Sequence, residues 1–174
     1  KKEKTKIDII LPNYNSSQFI INTINSILKQ TYKNWKLIIV DDFSNEETKN
    51  ILKKISKKKN IKVFYLNKNR GAGFCRNFAI KKSNSPYLAF IDSDDIWEKN
   101  KLKKQINFMI KKNYPFTFTD YIPIIQTKNC KKTLKRTNIV NTFNFKSFIK
   151  NSSINTSTMI IERKYLNNLK FRKL

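Results

Sequence analysis

The fold class is decided by the segment Trp35-Lys36-Leu37-Ile38-Ile39-Val40-Asp41-Asp42. Its continuous apolar run, rich in β-branched residues, is typical of a parallel strand that is buried on both faces. Two carboxylates follow at the point where this strand ends. Because ligands bind outside the carboxyl ends of the strands in open parallel sheets, the segment predicts a sheet and a site together.

The rest of the chain repeats an alternation of strands and helices. Further strands are predicted at 7–11, 63–66, 87–91 and 116–121, and helices at 16–31, 45–58, 73–82 and 99–112. This order predicts a single α/β domain, a three-layer α/β/α sandwich around a doubly wound, mostly parallel sheet. Beyond residue 121 the rhythm weakens, and the sequence indicates a loop or hairpin at 122–140, a helix at 143–150, a strand at 156–161 and a helix at 163–169.

The composition excludes several kinds of chemistry. The chain has no His, which excludes Ser-His-Asp and Cys-His machinery and His-ligated zinc. Two cysteines, Cys75 and Cys130, are too few for a disulfide framework or a metal cluster, and we expect both to be reduced packing residues. Any catalysis therefore uses carboxylates, Lys, Arg, Tyr, hydroxyls or a carboxylate-bound metal.

The formal net charge of +25 has two interpretations. The lysines either solvate the surface generally or attract a polyanion such as nucleic acid, anionic lipid or a diphosphate. They are spread along the whole chain, so they mark no site by themselves. We expect a cytoplasmic protein, because the first residues lead into a strand without a signal peptide, and we leave open an anchor beyond residue 174.

The acidic residues are few and concentrated. Of 12 acids in the chain, five follow two apolar strands: Asp41, Asp42, Asp92, Asp94 and Asp95. Carboxylates about 4 Å apart repel by roughly 4 kcal/mol at an effective dielectric near 20, and a divalent cation such as Mg²⁺ or Mn²⁺ relieves this repulsion. The alternative is a solvated turn whose last Asp caps the next helix. The second acidic pair at the same sheet edge favours a metal-nucleotide site.

Two other segments reach the same edge. The segment Pro12-Asn13-Tyr14-Asn15 ends the first strand, so Tyr14 either stacks on a base, with Asp42 accepting an N–H from it, or packs over its own loop. Residues 69–77 place Gly71 and Gly73 before a helix that also carries Arg76, and backbone amides there suit a diphosphate. The spacing matches neither a P-loop nor a dinucleotide fingerprint.

Five motifs in order resemble family 2 glycosyltransferases. They are Pro-x-Tyr-Asn at 12–15, Ser-Ile-Leu-x-Gln-Thr-Tyr at 26–32, Val-Asp-Asp-x-Ser at 40–44, Asn-x-Gly with Arg-Asn at 69–77, and Asp-x-Asp-Asp at 92–95. The resemblance implies a Rossmann-like GT-A fold, a UDP-sugar donor, Mn²⁺ or Mg²⁺, and inverting transfer to a glycan or lipid-linked acceptor in surface polysaccharide synthesis. Carried over by motif, the nucleotide-binding residues are Pro12, Tyr14, Asp41, Asp42, Arg76 and Asp92, and the metal ligands are Asp94 and Asp95.

The resemblance also implies a division of the chain. Residues 7–121 correspond to the donor-binding part, and 122–174 to an incomplete acceptor-side part. We expect the general base beyond Leu174, because Glu162 and Asp120 match no base motif. Phe43 stands where the family usually has Gly. The alternatives are a non-catalytic nucleotide-sugar binder and a basic nucleic-acid-binding domain, although the chain lacks the signatures of RRM, KH and zinc-finger modules. A basic surface would also suit an anionic membrane.

Overall fold

The computed structural model describes residues 5–126, 131–135, 154–166 and 171–172. Eight strands are found in these ranges: β1 Ile7–Asn13, β2 Trp35–Asp41, β3 Ile61–Tyr65, β4 Tyr87–Phe90, β5 Phe116–Thr117, β6 Ile124–Gln126, β7 Lys131–Thr133 and β8 Ile160–Glu162. The helices are α1 Ile20–Leu28, α2 Glu46–Ile55, α3 Ala72–Lys82 and α4 Lys101–Lys112, with 3₁₀ turns at Thr156–Thr158 and Arg163–Leu166. Within the described ranges, every helix is too short or too polar to cross a bilayer.

The main sheet has the strand order β3-β2-β1-β4-β8-β5. The first four of these strands run parallel, with β1 between β2 and β4, which confirms the predicted doubly wound arrangement. The later strand β8 lies antiparallel between β4 and β5. Strands β6 and β7 form a separate antiparallel hairpin, one of the two possibilities that the sequence left open.

Alternate residues of the central strands enter two hydrophobic cores, one on each face of the sheet. On one face Ile9 and Leu37 pack with α1 and α4 residues, and on the other Ile10 and Ile38 pack with Cys75 of α3. Helices therefore cover both faces, as the continuous apolar runs predicted. The register pairs Asn13 with Asp41, so β1 and β2 end side by side.

Several predicted elements have different bounds in the structure. Helix α1 begins only at Ile20 because the Ser16 hydroxyl donates to the Asn13 side chain instead of capping the helix. Strand β5 is confined to Phe116 and Thr117, where it pairs with β8. The predicted strand at 156–161 is a 3₁₀ turn capped by Asn155 and then β8. The helix predicted at 163–169 is a 3₁₀ turn over its described part, and the one at 143–150 lies outside the described residues.

Candidate functional site

A cleft of about 260 Å³ opens at the carboxyl edge of β1, β2 and β4. Its lining consists of Pro12, Asn13, Tyr14, Asp42, Ala72, Cys75, Arg76, Asp92, Ser93 and Asp94. Six of the eight residues predicted from the sequence are among them. The other two, Asp41 and Asp95, lie next to lining residues in the chain. Segments far apart in sequence thus meet where the parallel strands end, as expected for this sheet type.

Asp41 is held by three hydrogen bonds and does not line the cleft. Its side chain is fully buried. One oxygen accepts from Asn13 Nδ2 at 2.7 Å and from Ser44 Oγ at 2.6 Å, and the other accepts from the Ser44 amide at 3.1 Å. Such hydrogen bonds stabilise a buried carboxylate without a counter-ion. This arrangement ties the end of β1 to the loop that follows β2.

Asp42 faces the cleft and orders the loop before α3. Its Oδ1 accepts from the Arg70 amide and its Oδ2 from the Gly71 amide, both at 2.7 Å. Gly71 has a φ of 84°, a left-handed conformation that glycine adopts without strain. The prediction that this turn offers its amides to a diphosphate is therefore wrong for Arg70 and Gly71, because Asp42 already accepts from both.

Tyr14 provides an aromatic surface at the mouth of the cleft. The residue is 52% exposed, whereas Asn13 beside it is buried. Asn15, next in the chain, adopts a φ of 46°, and its backbone amide donates to Ser44 Oγ at 2.9 Å. The loop is therefore anchored on both sides of Tyr14 while its ring keeps an accessible face, which is the geometry needed to stack a planar base.

Arg76 and Asp92 form an ion pair across the cleft. Arg76 Nη2 lies 2.5 Å from Asp92 Oδ1, and both side chains are largely buried. The guanidinium also lies 5.3 Å from the centre of the Phe171 ring, and its buried Nε has no hydrogen-bond partner in the protein. The pair reduces the repulsion among the neighbouring acids.

The remaining acids fit a divalent cation that is shared with a phosphate. Asp94 is exposed on the cleft wall, whereas Asp95 lies behind it. Burial raises the pKa of Asp95, the Ser157 side chain opposes this by hydrogen bonding, and the charges of Asp94 and Asp92 raise it further. Within the described ranges no three acidic or Cys side chains form a metal-binding group. One or two carboxylates completed by phosphate oxygens remain a donor set that suits Mg²⁺ or Mn²⁺.

The contacts of some residues around the site could not be predicted from the sequence. Ser157 Oγ accepts from the Asp92 amide at 2.9 Å, although it lies 65 residues further along the chain. Asn77 binds the backbone of Phe171 through both ends of its amide, at 2.8 and 3.0 Å. Cys75 lines the cleft, but burial and the nearby Asp42 raise the pKa of its thiol to about 12, so it is unreactive at neutral pH.

Comparison with known proteins identifies the family. The family model described as glycosyl transferase family 2 matches residues 8–169. The chain belongs to this family. The structure of TarS from S. aureus (residues 1–349) in complex with UDP-GlcNAc superimposes with a TM-score of 0.69 at 26% identity, over 94% of this chain and 47% of that one. This match confirms the GT-A fold.

Two curated relatives with glycosyltransferase names support the same family. TuaG of Bacillus subtilis (strain 168), named for teichuronic acid biosynthesis, is 42% identical over 119 residues, which cover 68% of this chain and 47% of TuaG. The Escherichia coli protein WfgD, a UDP-Glc:alpha-D-GlcNAc-diphosphoundecaprenol beta-1,3-glucosyltransferase, is 36% identical over 165 residues, which cover 95% of this chain and 63% of WfgD. The chain thus spans less than two thirds of the length of either relative.

Proposed function

We propose that this chain binds a UDP-sugar and forms the donor site of a glycosyltransferase. The observation that carries the proposal is the convergence of Tyr14, Asp42, Arg76, Asp92 and Asp94 on one cleft. These residues come from four separate segments of the chain. Together they offer a face for a base, an acceptor for its N–H, a cation and an exposed carboxylate. TarS, which matches over nearly the whole chain, has been solved with UDP-GlcNAc.

Each part of the donor has a residue suited to it. Tyr14 stacks on the uracil ring. Asp42, fixed by two amides, uses its remaining lone pairs to accept the uracil N–H, so its geometry is set before the ligand arrives. The ion pair between Asp92 and Arg76 lies where we propose that the ribose and the diphosphate bind. Such preorganised groups stabilise charge on the departing diphosphate without reorganising during the reaction.

A divalent metal completes the proposed site. Asp94, with Asp95 behind it, would hold Mn²⁺ or Mg²⁺. When bound, the metal supplies charge neutralisation of the departing nucleotide. Asp95 is the less accessible of the two, because its carboxylate is hydrogen-bonded to Ser157. Asp94 is therefore the primary ligand in this proposal.

The acceptor is proposed from the relatives. The name of WfgD specifies a diphosphoundecaprenol-linked sugar as its acceptor. We extend this acceptor class, a glycan or lipid-linked sugar used in surface polysaccharide synthesis, to the protein that contains this chain. We also place this reaction at the inner face of the membrane, where a chain of net charge +25 would be attracted to anionic lipid.

Calorimetry with UDP, with and without Mn²⁺, tests the donor site. We expect Mn²⁺-dependent binding, which weakens at least about tenfold in Asp94→Asn because a charged ligand is lost. The matched control is Glu47→Gln, which removes an equal charge from an exposed position on α2. Tyr14→Ala should weaken binding with or without metal, by about 1–3 kcal/mol, through loss of stacking. A folded wild-type chain that binds no UDP would overturn the proposal.

A further inference from the structure

One face of α1 and its C-terminal extension is polar although it is buried. Thr23 and Gln30 are fully buried and Ser26 is 6% exposed. Their spacing of three and four residues places them in a row on one side of the helix. We call these three residues the α1 latch. Ser26 and Gln30 belong to the family motif at 26–32, to which the donor-site chemistry assigns no role.

The first two latch residues bind the loop that contains the acids. Thr23 Oγ1 donates to the Ser93 carbonyl at 2.9 Å, in the middle of the Asp92–Asp95 turn. Ser26 Oγ accepts from the Trp97 amide at 3.1 Å and donates to the Thr23 carbonyl at 2.7 Å. These bonds join the helix to backbone that lies about 70 residues further along the chain.

Gln30 fixes the far end of the same segment. Its Nε2 donates to the Glu98 carbonyl at 2.8 Å and to the Ser26 carbonyl at 3.2 Å. Its Oε1 accepts from the Leu102 amide at 3.0 Å. The side chain of Asn100, the N-cap residue of α4, makes no capping bond. Gln30, two residues beyond the end of α1, caps α4 instead.

We propose that the α1 latch consists of positioning residues that set the geometry of the acidic turn and thereby its affinity for the divalent metal. This inference rests on the proposed donor site. Three carboxylates of like charge lie within four residues of the turn and repel one another, so the backbone that carries them needs external restraints. Ser157 restrains its start at the Asp92 amide, and Thr23 restrains its middle at Ser93.

The inference makes different predictions for UDP affinity in the presence of metal and in its absence. Across the described part of the chain, the hydrogen bonds of the latch reach the segment 93–102, which carries Asp94, and none reaches Tyr14 or Asp42, which are proposed to hold the base. Asp92 is held separately by Ser157 and Arg76. Loosening the turn after Asp92 should therefore reduce the gain in UDP affinity that metal provides and leave metal-free UDP affinity unchanged. A displacement of about 1 Å is enough to spoil a metal site, whereas a stacking surface tolerates it.

The test compares Thr23→Val with Thr23→Ser. Valine has the shape of threonine but lacks the hydroxyl that donates to Ser93, and serine keeps it. We measure the dissociation constant of UDP in Mn²⁺ and in EDTA, and take the ratio as the metal-dependent gain. We expect Thr23→Val to reduce this gain about three- to tenfold, in line with the loss of one buried hydrogen bond, and Thr23→Ser to retain it.

A second latch variant tests the same inference if Thr23→Val does not fold, and a variant remote from the acidic turn serves as the control. Ser26→Ala removes the acceptor of the Trp97 amide and should lower the same ratio if Thr23→Val does not fold. The control Ser83→Ala loses hydrogen bonds to Ile80 and Arg163 at the opposite edge of the sheet, so it should keep the wild-type ratio.

The results separate this inference from the proposed donor site. Wild-type protein that binds no UDP overturns the donor-site proposal and the latch with it. Wild-type protein that binds UDP equally well in Mn²⁺ and in EDTA overturns the proposed metal site and the latch, but not the UDP site. Metal-dependent binding in the wild type, together with an unchanged ratio in Thr23→Val and Ser26→Ala, overturns the latch alone. Equal losses with and without metal also overturn it, because they indicate a general structural role.

Discussion

Lys101, the first residue of α4, is buried with no hydrogen-bond partner for its amine, and its replacement by Met should stabilise the protein. The residue is 9% exposed, and its Nζ makes no hydrogen bond. The amine lies 4.0 Å from the centre of the Trp97 ring. Burial lowers its pKa from 10.5 to about 7. A cation at the N-terminus of a helix is also unfavourable to the helix dipole.

The expected increase in the free energy of unfolding of Lys101→Met follows from these values. A pKa depression of this size corresponds to about 5 kcal/mol of desolvation cost for the charged amine. The attraction to the Trp97 ring offsets about 2 kcal/mol of this cost when the pair is desolvated. Lys101→Met keeps the aliphatic stem and removes the charge. We therefore expect the free energy of unfolding to rise by about 3 kcal/mol at neutral pH.

The pH dependence has a definite sign. Between about pH 7 and pH 10.5 the unfolded chain binds this proton and the folded protein does not, so wild-type stability from this group rises with pH. Below about pH 7 both states are protonated and the contribution is constant at its least favourable value. The advantage of Lys101→Met should therefore be largest at and below neutral pH and narrow as the pH approaches 10.5.

Urea denaturation across this pH range measures the effect. The control is Lys103→Met on the exposed face of α4, which should change stability by less than about 0.5 kcal/mol. A Lys101→Met protein that is less stable than the wild type at neutral pH, or whose advantage does not vary with pH, would refute the reasoning. Either result would mean that the amine is charged and well solvated in the folded protein.

Two backbone predictions concern Gly73 and Phe43. Gly73→Ala should destabilise the protein by about 1–3 kcal/mol, although Ala normally favours a helix, because its Cβ would lie 2.0 Å from the Arg172 carbonyl oxygen. A higher thermal midpoint would contradict this. Phe43→Gly should raise the free energy of unfolding by about 0.5 kcal/mol, since Phe43 has a φ of 66° and is half exposed. Loss of stability in urea would show that its contact with Lys49 outweighs the strain.

The parallel sheet and its acidic edge could be predicted because their signals are local. The run Leu37–Val40 is fully buried, as expected for a central strand covered on both faces. Once β1, β2 and β4 are parallel neighbours, their carboxyl ends must meet. Asp42 and Asp92 therefore had to approach each other, although 50 residues separate them. Sequence and topology together were sufficient for this part of the site.

The parts that could not be predicted depend on contacts between distant short segments. Strand β8 has three residues, too few to show a period, and nothing local indicates that it inserts antiparallel between β4 and β5. Gly73 resembled part of a phosphate-binding turn, but its missing Cβ admits the Arg172 carbonyl. Asp41 and Asp42 are adjacent carboxylates that the sequence does not distinguish, and only the structure shows that Asp42 lines the cleft whereas Asp41 is buried in hydrogen bonds to Asn13 and Ser44.

The charge distribution assigns different tasks to the basic surface and the acidic cleft. The net charge of +25 acts at long range, within about a Debye length of 10 Å at 0.1 M salt, and attracts a nucleotide diphosphate without selecting it. Inside the cleft the sign is reversed, because Asp42, Asp92 and Asp94 line it and Arg76 is paired with one of them. If the cleft is the donor site that we propose, a diphosphate drawn to the surface meets carboxylates at the final step, and a cation that accompanies it lowers their repulsion. We infer that a preference for the metal-bound nucleotide would then arise from the contrast between the two fields, and that it would depend on how rigidly the acidic turn is held.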